Sequence, residues 1–111
     1  MRQLEVFVNE VKAGILTEID PGRGYEFTYN QDYLNTDQPP VSVTLPKRGE
    51  PYQAEHLFPF FVNLLPEGAN RKVICREQRI DEQDFFGMLM ATVDTDIIGS
   101  VNFRFVNNDR D

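Results

Sequence analysis

The first third of the chain carries a period-two pattern of apolar side chains, which limits the fold more than any other feature. Apolar residues occupy alternate positions in segments 4–8 and 25–29, and segment 14–19 lies between them. This period is typical of strands with one buried face. Asn9 and Glu10 suit a tight turn, and Pro21 and Gly22 begin a stronger one, because Pro presets φ and Gly permits positive φ. We therefore predict an antiparallel β-meander.

The middle of the chain is predicted to be mostly loop. Residues 30–40 are polar and end in a pair of prolines, which indicates a surface loop. Val41, Val43 and Leu45 then alternate with Ser and Thr, the pattern of a short strand. Residues 47–51 are predicted to form another turn or loop.

The hydrophobic period becomes helical in the second half. A first helix is predicted over 58–65, where apolar residues recur at helical spacing. Pro59 fits its first turn, because the missing N–H of proline is not needed there. Pro66 and Gly68 are expected to end it, and Asn70 is a candidate cap for a second helix.

The second helix is expected to carry Val73 and Ile74 inward, with Cys75 as a further candidate. Asp81 is the predicted N-cap of a third helix, and Asp84 follows in a position resembling a capping box. The apolar stripe of the third helix comprises Phe85, Phe86, Leu89, Met90 and Val93.

A returning strand is predicted at the end of the chain. Residues 94–99 suit a turn, and Val101, Phe103 and Phe105 then alternate with polar neighbours. Strands, then short helices, then a strand form an α+β pattern. A length of 111 residues suits one modest core. We predict a single α+β domain over residues 1–111, with a small antiparallel sheet, short helices in the second half and a returning C-terminal strand.

Charge and composition exclude some classes of partner. The formal net charge is −7, whereas nucleic-acid binding draws most of its affinity from Lys and Arg, so we expect no direct contact with DNA or RNA. The N-terminus lacks an apolar signal core, and no apolar run approaches the roughly 20 residues that span a bilayer. Cys75 is the single cysteine, so no intramolecular disulfide can form. The expected location is the cytoplasm, without membrane contact.

Chemistry-bearing residues are scattered rather than clustered. A metal site needs several converging ligands, but the chain has one His and one Cys. His56 is expected to lie at a helix start and Cys75 to be structural, since a nucleophilic thiol needs a nearby base or a positive field. Asp94 and Asp96 are expected to shape a turn. We predict a binding or structural domain with no catalytic residues, metal or cofactor; a small enzyme using His56 or Cys75 is the alternative.

Three stretches carry a resemblance to a known family: "VSVTLP" at 41–46, "LFPFFVNLLPEGANRKVI" at 57–74 and "DTDIIGSV" at 94–101. Together they resemble the N-terminal subdomain of HipA-type serine/threonine kinases. In that family a Phe-rich helix precedes an Asn-Leu-Leu-Pro-Glu-Gly segment, and a loop of the form Gly-x-Asp-x-x-Gly-Ala-Val follows. Asp94 and Ser100 differ from that loop, and Ala69 stands where many relatives have a large side chain.

The resemblance implies a partner rather than a reaction. The ATP-binding loop and the catalytic and metal-binding Asp residues of such kinases lie downstream of this subdomain, and these 111 residues contain no His-Arg-Asp or Asp-Phe-Gly motif. Stand-alone copies, called HipS, occur in three-part HipBST toxin–antitoxin systems. There the small protein is implicated as the antitoxin of a HipT-type kinase, and a DNA-binding HipB-type protein completes the complex. The alternative is a non-inhibitory N-terminal subunit, or a fragment, of a split kinase.

The resemblance also indicates where such a kinase would bind. The break between the first two predicted helices is the most family-specific segment and combines apolar with charged groups. The predicted partner-binding residues are Leu65, Pro66, Glu67, Gly68, Ala69, Asn70 and Arg71. The alternative interpretation is that Leu64 and Leu65 belong to the core and that Pro-Glu-Gly only stops a helix.

Overall fold

A five-stranded antiparallel sheet with short helices forms the fold. The computed structural model describes residues 1–65, 67–91, 93 and 101–106. The strands of this part are β1 (Arg2–Val8), β2 (Val11–Asp20), β3 (Arg23–Tyr29), β4 (Tyr52–Ala54) and β5 (Val101–Phe105). The helices are α1 (Gln31–Leu34), α2 (Pro59–Val62), α3 (Gly68–Gln78) and α4 (Phe85–Ala91).

The order of strands in the sheet is β4-β3-β2-β1-β5. Each neighbouring pair is antiparallel, so β1, β2 and β3 form the predicted meander. The closing strand β5 returns to pair with β1 along its free edge. The predicted α+β class is therefore confirmed.

The turn between β1 and β2 consists of two residues. Val8 pairs with Val11, and both central residues have positive φ, 51° at Asn9 and 68° at Glu10. Two positive φ values mark the primed turn whose twist matches that of the flanking strands. The predicted tight turn is confirmed, although Glu10 holds a position that usually favours glycine.

The core lies on one face of the sheet. The register places Leu4 beside Leu16 and Leu16 beside Phe27, and all three are fully buried. Phe61 of α2 packs onto this face, with its ring centroid 6.0 Å from that of Phe27 and 5.9 Å from that of Phe103 on β5. The period-two pattern of the first strands thus marks the face that the helices cover.

The predicted strand over 41–45 is wrong. Only an isolated bridge joins Ser42 and Leu45, and Val43 is 90% exposed. The hydroxyl of Tyr29 accepts a hydrogen bond from the Val41 N–H at 2.9 Å and donates one to the Leu45 carbonyl. The segment therefore curls around a buried tyrosine, and that contact satisfies backbone groups that a strand would have paired within a sheet.

Two elements were not predicted from the sequence. β4 pairs with β3 and forms the edge of the sheet, but three residues are too few to show a period. Helix α1 lies within the predicted loop over 30–40 and buries Tyr33, whose ring stacks on Tyr29 with centroids 6.0 Å apart. Both elements depend on contacts with the meander rather than on local sequence.

The helices are present, but their limits differ from prediction. α2 is a single turn and ends at Val62, and α3 begins at Gly68, so Asn70 lies inside it rather than at its cap. Asp84 rather than Asp81 precedes the first residue of α4 and caps it, because its Oδ1 accepts the Gly87 N–H at 3.0 Å. The predicted turn at 94–99 lies outside the described residues.

Burial of the helical side chains follows the prediction only in part. In α4, Phe86 and Leu89 are fully buried, as the apolar stripe predicted. In α3, Cys75 is buried, whereas Val73 is 44% exposed, so the expectation that Val73 points inward is wrong. α3 therefore covers less of the sheet than its sequence suggested.

Replacing Glu10 by Gly is expected to stabilise the protein. A residue with a Cβ in the left-handed region costs roughly 1–2 kcal/mol, and the entropy of glycine offsets part of the gain, which leaves about 0.5–1 kcal/mol. Urea unfolding of Glu10→Gly measures the difference. Glu26→Gly in β3, where extended backbone favours a side chain, should lower stability instead. A Glu10→Gly variant less stable than the wild type would contradict the turn geometry.

Candidate functional site

The predicted partner-binding segment lies at the surface between α2 and α3. Glu67, Gly68, Ala69 and Asn70 are exposed, and Arg71 is half-buried. Leu65 is only 4% exposed and belongs to the core, so it supports the segment from beneath. Pro66 lies outside the described residues.

The backbone explains why the Pro-Glu-Gly sequence contains a glycine. Gly68 has a φ of +61°, and a Cβ placed there would meet nothing within 4 Å. The requirement is therefore one of backbone conformation rather than space, since side-chain-bearing residues rarely adopt that φ. This conformation turns the chain from α2 into α3 and presents Ala69 and Asn70 to solvent.

Arg71 ties this segment to the start of α4. Its guanidinium carbon lies 5.5 Å from the centroid of the Phe85 ring, within the range of a cation–π contact. α3 and α4 thus meet through a charged and an aromatic side chain. The sequence placed Arg71 in the site but did not indicate this partner.

A surface groove of about 360 Å³ lies beside this contact, and Phe85 belongs to both. The groove is lined by Gly22, Tyr25, His56, Leu57, Val62, Gln83 and Phe85. These residues come from the turn between β2 and β3, from β3, from the segment before α2, from α2 itself and from residues 83–85 at the start of α4. No local pattern brings them together, so sequence analysis missed the groove.

An ionic cluster lies next to the groove. Arg2 Nε donates to Glu18 Oε1 at 2.7 Å, and Arg2 Nη2 donates to Asp84 Oδ1 at 2.7 Å. Glu18 Oε2 accepts from the Tyr25 hydroxyl and from the Gly22 N–H, both at 3.0 Å. Gly22 and Tyr25 also line the groove. Through its hydrogen bonds to these two residues, Glu18 fixes one wall of the groove against the first and second strands.

The cluster keeps its carboxylates charged. Burial alone would raise the pKa of Glu18, which is 1% exposed, but hydrogen bonds from Arg2, the Gly22 N–H and Tyr25 more than offset this, so its pKa lies below the ordinary value. The hydrogen bond from Arg2 lowers the pKa of Asp84. Burial and the Glu18 carboxylate raise the pKa of Tyr25 to about 12. At neutral pH the cluster therefore holds one cation and two anions.

Part of this cluster, the pair of Arg2 and Glu18, could have been inferred from the sequence pattern. Arg2 and Glu18 occupy the same alternating positions as the buried Leu4 and Leu16, and they are direct partners across the first two strands. Opposite charges at core-facing positions of neighbouring strands indicate a buried ion pair. Asp84 could not be added in this way, because no strand register links it to them.

The two residues considered for catalysis lie in different surroundings. His56 is exposed at the groove, while Cys75 is buried in α3. Burial raises the pKa of the Cys75 thiol, so it is protonated at neutral pH and is a poor nucleophile. Within the described part of the chain, no group of three or more His, Cys, Asp or Glu side chains could hold a metal ion. None of the helices described there is long and apolar enough to cross a membrane.

Comparison with known proteins identifies the family. The family model described as the HipA N-terminal domain matches residues 4–104. The chain belongs to the HipA N-terminal domain family. This confirms the resemblance found in the sequence.

Three similar proteins differ in how much of their own length the match covers. A solved structure titled "N-terminal domain of HipA toxin" matches with a TM-score of 0.69 and 30% identity over 96% of both chains. An "Uncharacterized protein" of Haemophilus influenzae is 34% identical over 104 residues, which are 94% of this chain and 92% of that protein. "Putative kinase Y4mE" of Sinorhizobium fredii is 34% identical over 64 residues, which are 57% of this chain but only 15% of the putative kinase.

The ionic cluster predicts how stability depends on pH. Because the pKa values of Glu18 and Asp84 are lowered by folding, their contribution is fully present above their unfolded pKa values, about 4, and is lost as pH falls through the folded ones. Glu18→Gln should therefore lower the free energy of unfolding by about 1–3 kcal/mol at pH 7. The difference from the wild type should shrink towards pH 3 in urea titrations.

The control for this experiment removes a carboxylate from the surface. Glu50→Gln changes the same chemical group at an exposed position. Its free energy of unfolding should fall at acid pH in the same way as that of the wild type. If the wild type and Glu18→Gln have the same free energy of unfolding at every pH, the cluster does not couple protonation to folding.

Proposed function

We propose that this HipA N-terminal domain protein binds a HipA-type serine/threonine kinase in trans and inhibits it, as an antitoxin-like protein. One observation carries the proposal: the same domain accounts for nearly all of a small Haemophilus influenzae protein and for a small part of a putative kinase. A domain that occurs within one chain and also separately can dock from outside onto a kinase of the same family.

The proposed contact surface is the segment 65–71 together with the adjoining groove. Leu65 supports this surface from the core, and Glu67, Ala69 and Asn70 are exposed on it. Ala69 has a small side chain at a position where many HipA-type relatives have a large one. We therefore infer that the charged neighbours Glu67 and Arg71 contribute most of the specificity, since charge complementarity selects partners and speeds their association.

The location and the wider complex follow from the proposed partner. We place the protein in the cytoplasm, where a reduced cysteine such as Cys75 persists. A DNA-binding HipB-type protein would join the complex through the kinase. Direct DNA contact by this chain is disfavoured by its net charge of −7.

A second candidate function is that of a non-inhibitory subunit of a split kinase. The match to 64 residues of the putative kinase favours it, because there the domain forms part of the same chain as the remainder. In that case the domain would support the folding or activity of the kinase. The two functions predict opposite signs in one experiment.

That experiment is a titration of kinase autophosphorylation. At saturating amounts of this protein, an antitoxin should reduce phosphate incorporation to background and restore growth when both proteins are produced in one cell. A required subunit should instead raise incorporation from a low starting level. Unchanged incorporation at a concentration that saturates binding would contradict both functions.

Charge reversals at the segment 65–71 are expected to weaken the complex. Glu67→Arg and Arg71→Glu should each raise the Kd by roughly tenfold, because a favourable charge pair at the interface becomes a repulsion. Isothermal titration calorimetry at two salt concentrations measures the Kd and its salt dependence. Glu50→Arg, a reversal at another exposed position, is the matched control and should bind like the wild type.

The melting temperature of each variant separates binding from folding. Arg71→Glu also removes the contact with Phe85, so a small loss of stability is expected for that variant but not for Glu67→Arg. If both reversals bind the kinase as tightly as the wild type, the interface lies elsewhere.

A further inference from the structure

Helix α3 is basic on an otherwise acidic protein. The chain has 11 Lys and Arg against 18 Asp and Glu, yet four of its cations lie within residues 71–79, with Glu77 as the single acid among them. Lys72, Arg76 and Arg79 are exposed. Positive charge is therefore concentrated on one helix of an acidic protein, whereas a surface with evenly mixed charges has no such patch.

The same helix packs lightly on the rest of the protein. All eleven of its residues are described, and Cys75 alone is buried. A helix of this length is marginal in water by itself and normally gains stability by burying an apolar face. The exposed Val73 shows that part of its apolar surface is uncovered. α3 therefore presents a face that a partner could bury.

The outer face of α3 combines an apolar pair and a basic pair. Ala69 and Val73 are four residues apart, as are Lys72 and Arg76, and all four are exposed. At 3.6 residues per turn these positions fall within an arc of about 100°. They therefore form one continuous surface, which begins at Ala69 in the segment 65–71.

The basic pair has an electrostatic reason to accept an acidic partner. Like charges at positions i and i+4 of a helix repel each other and destabilise it. Within the described part of the chain, neither Lys72 nor Arg76 takes part in an ion pair. A carboxylate placed between Lys72 and Arg76 would remove this repulsion.

We propose that the outer face of α3 (Ala69, Lys72, Val73 and Arg76) docks onto an acidic, partly apolar surface of the partner kinase; this inference rests on the proposed function. The charge of the face selects an acidic occupant. The apolar pair favours a protein over a nucleic acid, because most contacts to a nucleic acid are polar contacts to phosphate and sugar, which offer little apolar area to bury against Val73. The 18 acidic residues of the chain would also repel DNA or RNA.

The test compares two pairs of charge-neutralising substitutions. Lys72→Gln with Arg76→Gln removes two positive charges from α3, and Arg48→Gln with Arg104→Gln removes two exposed charges elsewhere. Arg104 lies over the Phe7 ring, on the sheet face opposite to the core, so the control pair matches the change in net charge but not the place. Binding to the full kinase is measured by calorimetry from 50 to 300 mM salt.

The expected result is a local effect of charge. The α3 pair should raise the Kd roughly tenfold and reduce its dependence on salt, while the control pair should stay within about twofold of the wild type. Val73→Thr, which keeps the shape of the side chain, should raise the Kd about two- to fivefold. Amide hydrogen exchange gives a readout without mutation, since α3 should exchange fast in the free protein and slowly in the complex.

The outcomes separate this inference from the proposed function. If the wild type does not bind the kinase, both are overturned. If the wild type binds and the α3 pair binds as tightly as the control pair, the α3 face is not the docking surface, but the proposed function stands.

Two other occupants are tested with the same variants. Binding of duplex DNA by the wild type, lost in the α3 pair while kinase binding is unchanged, would assign the face to nucleic acid and overturn the inference. Sedimentation of the protein alone tests a second copy of the chain. A wild-type dimer that the α3 pair converts to a monomer would assign the face to self-association and also overturn it.

Discussion

The position of the candidate site depends on the burial of Phe61. α2 is one turn long, and so short a helix has no stability of its own. Its place is set because the fully buried ring of Phe61 packs between the rings of Phe27 on β3 and Phe103 on β5. The position at which the chain leaves the core after α2 is therefore fixed. The positive φ of Gly68 then directs the chain into α3 at the surface. A core contact thus decides where an exposed segment lies.

The other side of the site is held by charge rather than by aromatic packing. Arg2 joins the first strand to the second through Glu18 and to α4 through Asp84. A buried charge left without its partner is costly, so the three groups hold each other in place. Phe85, the next residue after Asp84, lines the groove and receives Arg71 of α3. The groove and the segment 65–71 are therefore neighbouring parts of one surface, held by the burial of Phe61 on one side and by the ionic cluster on the other, and the outer face of α3 begins at Ala69 in that segment.

Local patterns predicted much of this molecule, and the errors have identifiable causes. The meander, the closing strand and the break at Gly68 follow from residue period and backbone preference. Residues 41–45 alternate between apolar and polar side chains as a strand does. The hydroxyl of Tyr29, however, forms hydrogen bonds with two backbone groups of this segment, which therefore do not pair in the sheet. The cap of α4 is Asp84 rather than Asp81, because the helix starts where Phe85 and Phe86 meet the core. In the segment 65–71, exposure was anticipated for Glu67 to Asn70, whereas the burial of Leu65 depends on how α2 docks.

The sequence by itself determined the α+β class, the meander of the first three strands, the presence of a closing strand, the family and the segment that carries the resemblance to it. These features are encoded in neighbouring residues, whose period, turn preference and motif spacing need no knowledge of the fold. Only the tertiary structure decided the edge strand β4, the groove, the ionic cluster and the uncovered face of α3. Each of these joins side chains far apart in the chain, or depends on what a helix leaves exposed after the core is filled. The physical reason is that backbone preference acts over a few residues, whereas burial and charge pairing act through space.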